Sequence, residues 1–239
     1  MAHVFSLQDR IGDIVAALPK ATEVFSKYKI DFCCGGSRPL EEVINEKGID
    51  GEAVLADLDT AHAEAQAMKD KQIDWREAPY GEFIDYIVNT HHAYTNQALS
   101  ELSQLVTTIL RVHGSSHPEL SKLHRLFHSL KLELEQYFIT EEEVVYPLIK
   151  QYEKDGSRET LAKAVEVFDQ LESEHEGAGD ILKEMREITS EYTLPSDACS
   201  TFDRTYALLQ ELETDLFQHI HLENNILHPR LRAELSKSS

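Results

Sequence analysis

Residues 217–229 read FQHIHLENNILHP. His219 and Glu223 stand four apart, so on a helix they project from one face, a turn from each other. Residues 135–147, EQYFITEEEVVYP, repeat the layout. Tyr137 and Glu141 hold the same spacing, and Pro147 follows Glu141 by six residues as Pro229 follows Glu223. Two histidines extend the parallel, His91 lying 46 residues before Tyr137 and His175 lying 44 before His219. The chain thus reads as two halves, each giving one histidine and then a ligand-xxx-Glu pair. A metal site between four facing helices requires that arrangement.

Four long helical patterns surround these residues. The first, about 80–111, puts Ile84, Ile87, His91, Ala98, Leu102, Leu105 and Ile109 on one stripe. The second, about 118–153, carries Leu123, Phe127, Leu130, Leu134, Tyr137, Glu141, Val144 and Leu148. The third, about 158–191, carries Ala164, Phe168, Leu171, His175, Ala178, Leu182 and Met185, and the fourth, about 199–235, Leu212, Leu216, His219, Glu223 and Ile226. Steps of three and four define the apolar seam of an antiparallel bundle, and no segment alternates as a strand would. The expectation is an all-α fold.

The polar residues decide the function class. His91, Tyr137, Glu141, His175, His219 and Glu223 fall on the seam that should be buried. A lone histidine there is ordinarily a hydrogen-bonded core residue, but two buried carboxylates in one core are costly without compensation. A pair of metal ions supplies it, and mixed imidazole and carboxylate donors suit iron or manganese better than zinc. Other histidines fit less well. His113 would lie about 33 Å along a continuous helix from His91 at 1.5 Å per residue. His92 points about 100° away from His91. His221 is assigned to the wrong face, and His228 to a supporting position at most.

Composition narrows the partners. With 43 acidic against 23 basic side chains the net charge is −20, which disfavours nucleic acid and anionic membrane surfaces. There is no run of eighteen apolar residues, and Met1–Leu7 offers neither a basic nor an apolar leader region. A cytoplasmic protein is expected, in keeping with three cysteines that cannot form a disulfide framework.

Residues 1–50 read as a small unit of short helices, with 51–79 as a connecting helix and linker and 80–235 as the bundle. The small unit contains IDFCCGGSRPL at 30–40, which cannot continue a helix. Cys33 and Cys34 are adjacent, about 3.8 Å apart at Cα, below the usual disulfide range. They read as a redox or metal-handling thiol pair, while Cys199 reads as a packing residue.

The stretch DIVAALPKATEVFSKYKIDFCCGG closely resembles the N-terminal domain of the iron–sulfur cluster repair proteins, the Repair of Iron Centres family. The helices after it resemble that family's hemerythrin-like domain, notably SEHEGAG around His175 and HIHLENNILHP around His219. The resemblance covers nearly the whole chain. It implies two non-haem iron ions per chain, oxo- or hydroxo- and carboxylate-bridged, held by His91, Glu141, His175, His219 and Glu223. Glu141 and Glu223 would be the bridging carboxylates. It further implies repair of iron–sulfur clusters damaged by nitric oxide or oxidants, a homodimer, and Cys33 and Cys34 as redox or iron-transfer groups. Where the family has histidine, this chain has Tyr137, either a phenolate ligand or a side chain beside an open iron position. Iron supply to damaged iron–sulfur proteins is the leading expectation. Reduction of nitric oxide at the metal pair, and reversible binding of oxygen or nitric oxide as carrier or sensor, are the alternatives.

Overall fold

The computed structural model describes residues 3–68 and 73–237, the side chains of 68 and 172–176 excepted. Among the described residues all regular structure is helical; the sole β pairing is a bridge between Arg10 and Pro39. Eleven α-helices follow in order: α1 Ile11–Ala17, α2 Ala21–Lys27, α3 Leu40–Lys47, α4 Gly51–Met68, α5 Tyr80–Ile87, α6 Ala93–His113, α7 Glu119–Thr140, α8 Tyr146–Asp155, α9 Arg158–Ile188, α10 Ser200–Leu222 and α11 His228–Lys237. The all-α expectation holds. No described helix is long and apolar enough to cross a membrane.

The chain forms two compact units, one of Met1–Tyr80 with Gln218–Ser239, the other of Gly81–Phe217. The boundaries expected from sequence kept 80–235 together, whereas the last 22 residues group with the N-terminal segment. Specific polar contacts account for this. Arg230 donates to the Ala78 carbonyl at 2.7 Å and lies over the Tyr80 ring, and Asn225 donates to the Cys33 carbonyl at 2.8 Å. The C-terminal stretch also brings the buried Ile226, Leu227 and Leu231 to this small unit.

The larger unit is a helical bundle. Leu102, Phe127, Leu130, Leu182, Phe202, Leu212 and Leu216 are each fully buried in one continuous cluster, and they come from α6, α7, α9 and α10. Helix ends follow local chemistry. Gly156, at φ 65°, ends α8 in the left-handed region, and the Ser157 side chain accepts the Thr160 N–H to cap α9.

Three of the four long patterns are interrupted by a π-helical turn: Val88–His92, Glu141–Val145 and Glu223–Leu227. In each, a carbonyl accepts the N–H five residues on: Val88 from Ala93, Glu141 from Tyr146, Glu223 from His228. Proline explains the second and third. Pro147 and Pro229 have no N–H to give the carbonyls of Glu143 and Asn225 four residues back, and their rings crowd those carbonyls. The turn widens to relieve both problems.

Phe127→Ala should cost about 3–5 kcal/mol in chemical denaturation, as for a large ring removed from a packed core. Leu132→Ala, at 71% exposure on the same helix, should stay within about 0.5 kcal/mol.

Candidate metal centre

Every described residue expected to ligate metal is buried. Exposure is 3% at His91, 6% at Tyr137, 0% at Glu141, 2% at His219 and 0% at Glu223. The side chain of His175 lies outside the described residues, although its helix α9 is described.

In the bundle unit, Glu141 opens its π turn and points Oε2 at His92 Nε2, 3.3 Å away. The other ring nitrogen of His92 lies 2.7 Å from Glu142 Oε1, and the ring stacks on Phe138 at 4.1 Å between centroids. In the tautomer that gives Nδ1–H to Glu142, the Nε2 lone pair faces the buried carboxylate. Histidines that bind metals are typically oriented by such an outer carboxylate. His91 is placed differently: its Nδ1 lies 3.0 Å from Asp215, which also accepts from Thr95 at 3.5 Å, and its ring meets Tyr86 edge-on. The first-helix imidazole facing Glu141 is therefore His92, set aside on the assumption of an unbroken α-helix. The π turn Val88–His92 fits an extra residue into one turn, so two adjacent histidines are both buried.

The other unit holds the second pair. His219 Nε2 lies 3.3 Å from Glu223 Oε2, across the turn that joins α10 to the third π segment. His221, assigned to the wrong face, is 3% exposed and bonds to the Phe32 backbone. Burial pushes its pKa down to about 4, so the ring is neutral at pH 7. His228 is buried at 1%.

These donors suit a cation. Glu213, another buried carboxylate of the bundle, is compensated by Arg186 at 2.8 and 3.2 Å. The partners described for Glu141 and Glu223 are imidazoles. An imidazole offers a buried carboxylate one N–H at most, whereas a divalent ion attracts both groups. Imidazole with carboxylate is also the donor mixture expected for iron.

The thiol pair lies in the smaller unit. Asp31 Oδ1 accepts the backbone N–H groups of Cys33, Cys34 and Gly35 at 3.2, 3.0 and 3.1 Å, and the Cys33 thiol at 3.3 Å. The two sulfurs are 3.6 Å apart, and both cysteines are free. Cys34 beside it, then burial and Asp31, push the Cys33 thiol well above the usual range, so it stays protonated at neutral pH.

Cys199 is exposed and bonded rather than packed. Its sulfur lies 3.3 Å from His113 Nε2 at the start of α10. His113 beside it, then the N–H groups of Phe202 and Thr201, hold the thiol down to about 7. His113, expected to be no metal ligand, is engaged here.

Glu142 and Asp215 carry no mark in the sequence that sets them apart from the other acidic residues. The two prolines do carry one, since each requires a local break in helical register shortly after a seam glutamate.

The fold and the donor set define a helical-bundle protein of the hemerythrin type, and residues 84–231 match the hemerythrin HHE cation-binding domain. Residues 7–62 match ScdA_N, a domain of unknown function. The chain belongs to the family of iron–sulfur cluster repair proteins. It is 36% identical to the iron–sulfur cluster repair protein YtfE of Enterobacter sp. (strain 638) over 223 residues, 93% of this chain and 96% of that one. Identity to the proteins of the same name from Escherichia coli O157:H7 and Citrobacter koseri is 35% and 34% over the same shares.

Alkylation of Cys199 by iodoacetamide, followed on its peptide by mass spectrometry, should reach half its maximal rate near pH 7. In His113→Ala the midpoint should rise toward the ordinary thiol value of about 8.5.

Proposed function

We propose that this protein repairs damaged iron–sulfur clusters and carries two non-haem irons for that task. Their ligands are drawn from His92, Glu141, His175, His219 and Glu223. The observation that carries the reading is the repeated arrangement of Glu141 and Glu223. Each is fully buried, each opens a π turn, and each sets a carboxylate oxygen 3.3 Å from an imidazole Nε2. π turns recur at functional sites because they turn one side chain out of the regular helical register. Family membership supports the class of activity, since the relatives are repair proteins by name.

His92 replaces His91 in the set proposed from sequence, with Glu142 orienting its ring. His91, held by Asp215, supports the helix that carries it. Bound ferrous ions would supply exchangeable iron for a depleted cluster; the protein's part is to hold imidazole nitrogens beside buried carboxylates. Tyr137 stays unligated in this reading, because ferrous iron prefers imidazole to phenolate and the cytoplasm, where we place the protein, is reducing. Cys33 and Cys34 act in transfer or redox exchange with the damaged target, not in holding the metal pair.

Elemental analysis of purified variants tests the assignment. His92→Ala and Glu223→Ala should each lose most of their iron, and His91→Ala should lose much less. Full iron in Glu223→Ala would overturn the ligand set, and equal loss in both histidine variants would overturn the choice of His92. Cys33→Ser with Cys34→Ser should load iron normally but restore less activity to an iron–sulfur enzyme damaged by nitric oxide. Oxidised wild-type protein should lack a tyrosinate charge-transfer band; one that vanishes in Tyr137→Phe would make Tyr137 a ligand. Sustained conversion of nitric oxide to nitrous oxide by the protein alone would favour the reductase alternative over iron supply.

A further inference from the structure

Asn225 lies two residues after Glu223, inside the same π turn. Its Nδ2 donates to the carbonyls of Phe32 at 3.3 Å and Cys33 at 2.8 Å, although 193 and 192 residues separate them in the chain. Two glycines leave room for it. A Cβ built on either Gly12 or Gly36 would fall well inside contact distance of Asn225 Oδ1. Those glycines are joined by the Gly12 N–H to the Gly36 carbonyl at 2.8 Å. The amide therefore sits in a slot formed by the start of α1 and the end of the cysteine loop, both of which lack side chains there.

The loop is held from both sides. Asp31 gathers its N–H groups, while Asn225 engages its carbonyls, with His221 adding a bond at Phe32. Only the Asp31 contacts are local. The carbonyl side is held from the π turn that carries Glu223 and from His221 at the end of α10.

We propose that Asn225 is a positioning residue that couples the state of Glu223 to the exposure of Cys33 and Cys34. With a cation held by Glu223 the π turn is fixed, the amide stays in its slot and the thiols are shielded. When Glu223 gives up its cation the π turn, which Pro229 imposes, stays but moves more freely, the amide leaves its slot and the thiols open. Coupling of this kind is reciprocal, so a group attached to the thiols lowers cation affinity by the same factor. The inference rests on the assignment of Glu223 as a ligand.

The rate of reaction of Cys33 and Cys34 with an aromatic disulfide reagent tests it, in full-length protein with Cys199→Ser to silence the exposed thiol. Removing iron with a chelator should speed the reaction by at least about tenfold, a size usual for linked sites. In Asn225→Ala the reaction should be fast with and without iron, with iron content and far-ultraviolet circular dichroism unchanged. Gly12→Ala, which drives the same amide from its slot by a different route, should behave alike. A loaded-to-free ratio of one in the parent protein, or the parent ratio retained in both variants, overturns the coupling alone. A parent protein that takes up no iron overturns the metal assignment and the coupling with it, and elemental analysis distinguishes that outcome.

Discussion

The burial of Glu141 and Glu223 is the constraint on which the rest of the structure depends. Both have 0% exposure, and each sets a carboxylate oxygen 3.3 Å from an imidazole nitrogen. A buried carboxylate costs several kcal/mol unless a cation or several hydrogen-bond donors answer it. Elsewhere in the bundle that answer is a guanidinium, as at Glu213 and Arg186. At the two seam glutamates an imidazole stands beside the carboxylate instead, a donor mixture in keeping with the cation-binding domain that the chain matches. The apolar core around α6, α7, α9 and α10 supplies the stability against which so polar a set can be held.

The π turns are the means. A regular helix offers a side chain every 100° and cannot place two adjacent residues in one narrow site. The wider turn at Val88–His92 buries His91 and His92 together, one against Asp215 and the other against Glu141. At Glu141 and Glu223 it opens at the glutamate itself, and the proline six residues on removes an α-type bond. In the third case the same turn also sets Asn225 against the cysteine loop, so one backbone irregularity carries both a buried glutamate and a contact to the thiol pair's loop.

The all-α fold was legible in the sequence because apolar residues at three- and four-residue steps survive three interruptions: each π turn shifts the phase, but enough of the stripe lies on either side. Both four-residue pairs were legible for the same reason, since Tyr137–Glu141 and His219–Glu223 each run along regular helix as far as the glutamate that opens the π turn. His92 was not, because its 100° displacement from His91 was reckoned on an unbroken helix. The contact between Asn225 and the Cys33 carbonyl spans 192 residues, and nothing local in either segment announces it. The grouping of Gln218–Ser239 with the N-terminal segment was hidden for the same cause, residing in side-chain contacts to backbone carbonyls rather than in a hydrophobic period. Six-residue offsets from glutamate to proline were visible in both halves, and their consequence for the helical register could have been drawn from the missing N–H groups.

The most direct test of the account is the metal itself. Protein purified without added metal should contain about two irons per chain, in keeping with the paired carboxylates of a bundle di-metal site. Its Mössbauer spectrum should show two non-haem irons with nitrogen and oxygen ligands, coupled in the oxidised state. One iron per chain, uncoupled iron, or zinc in place of iron would contradict it.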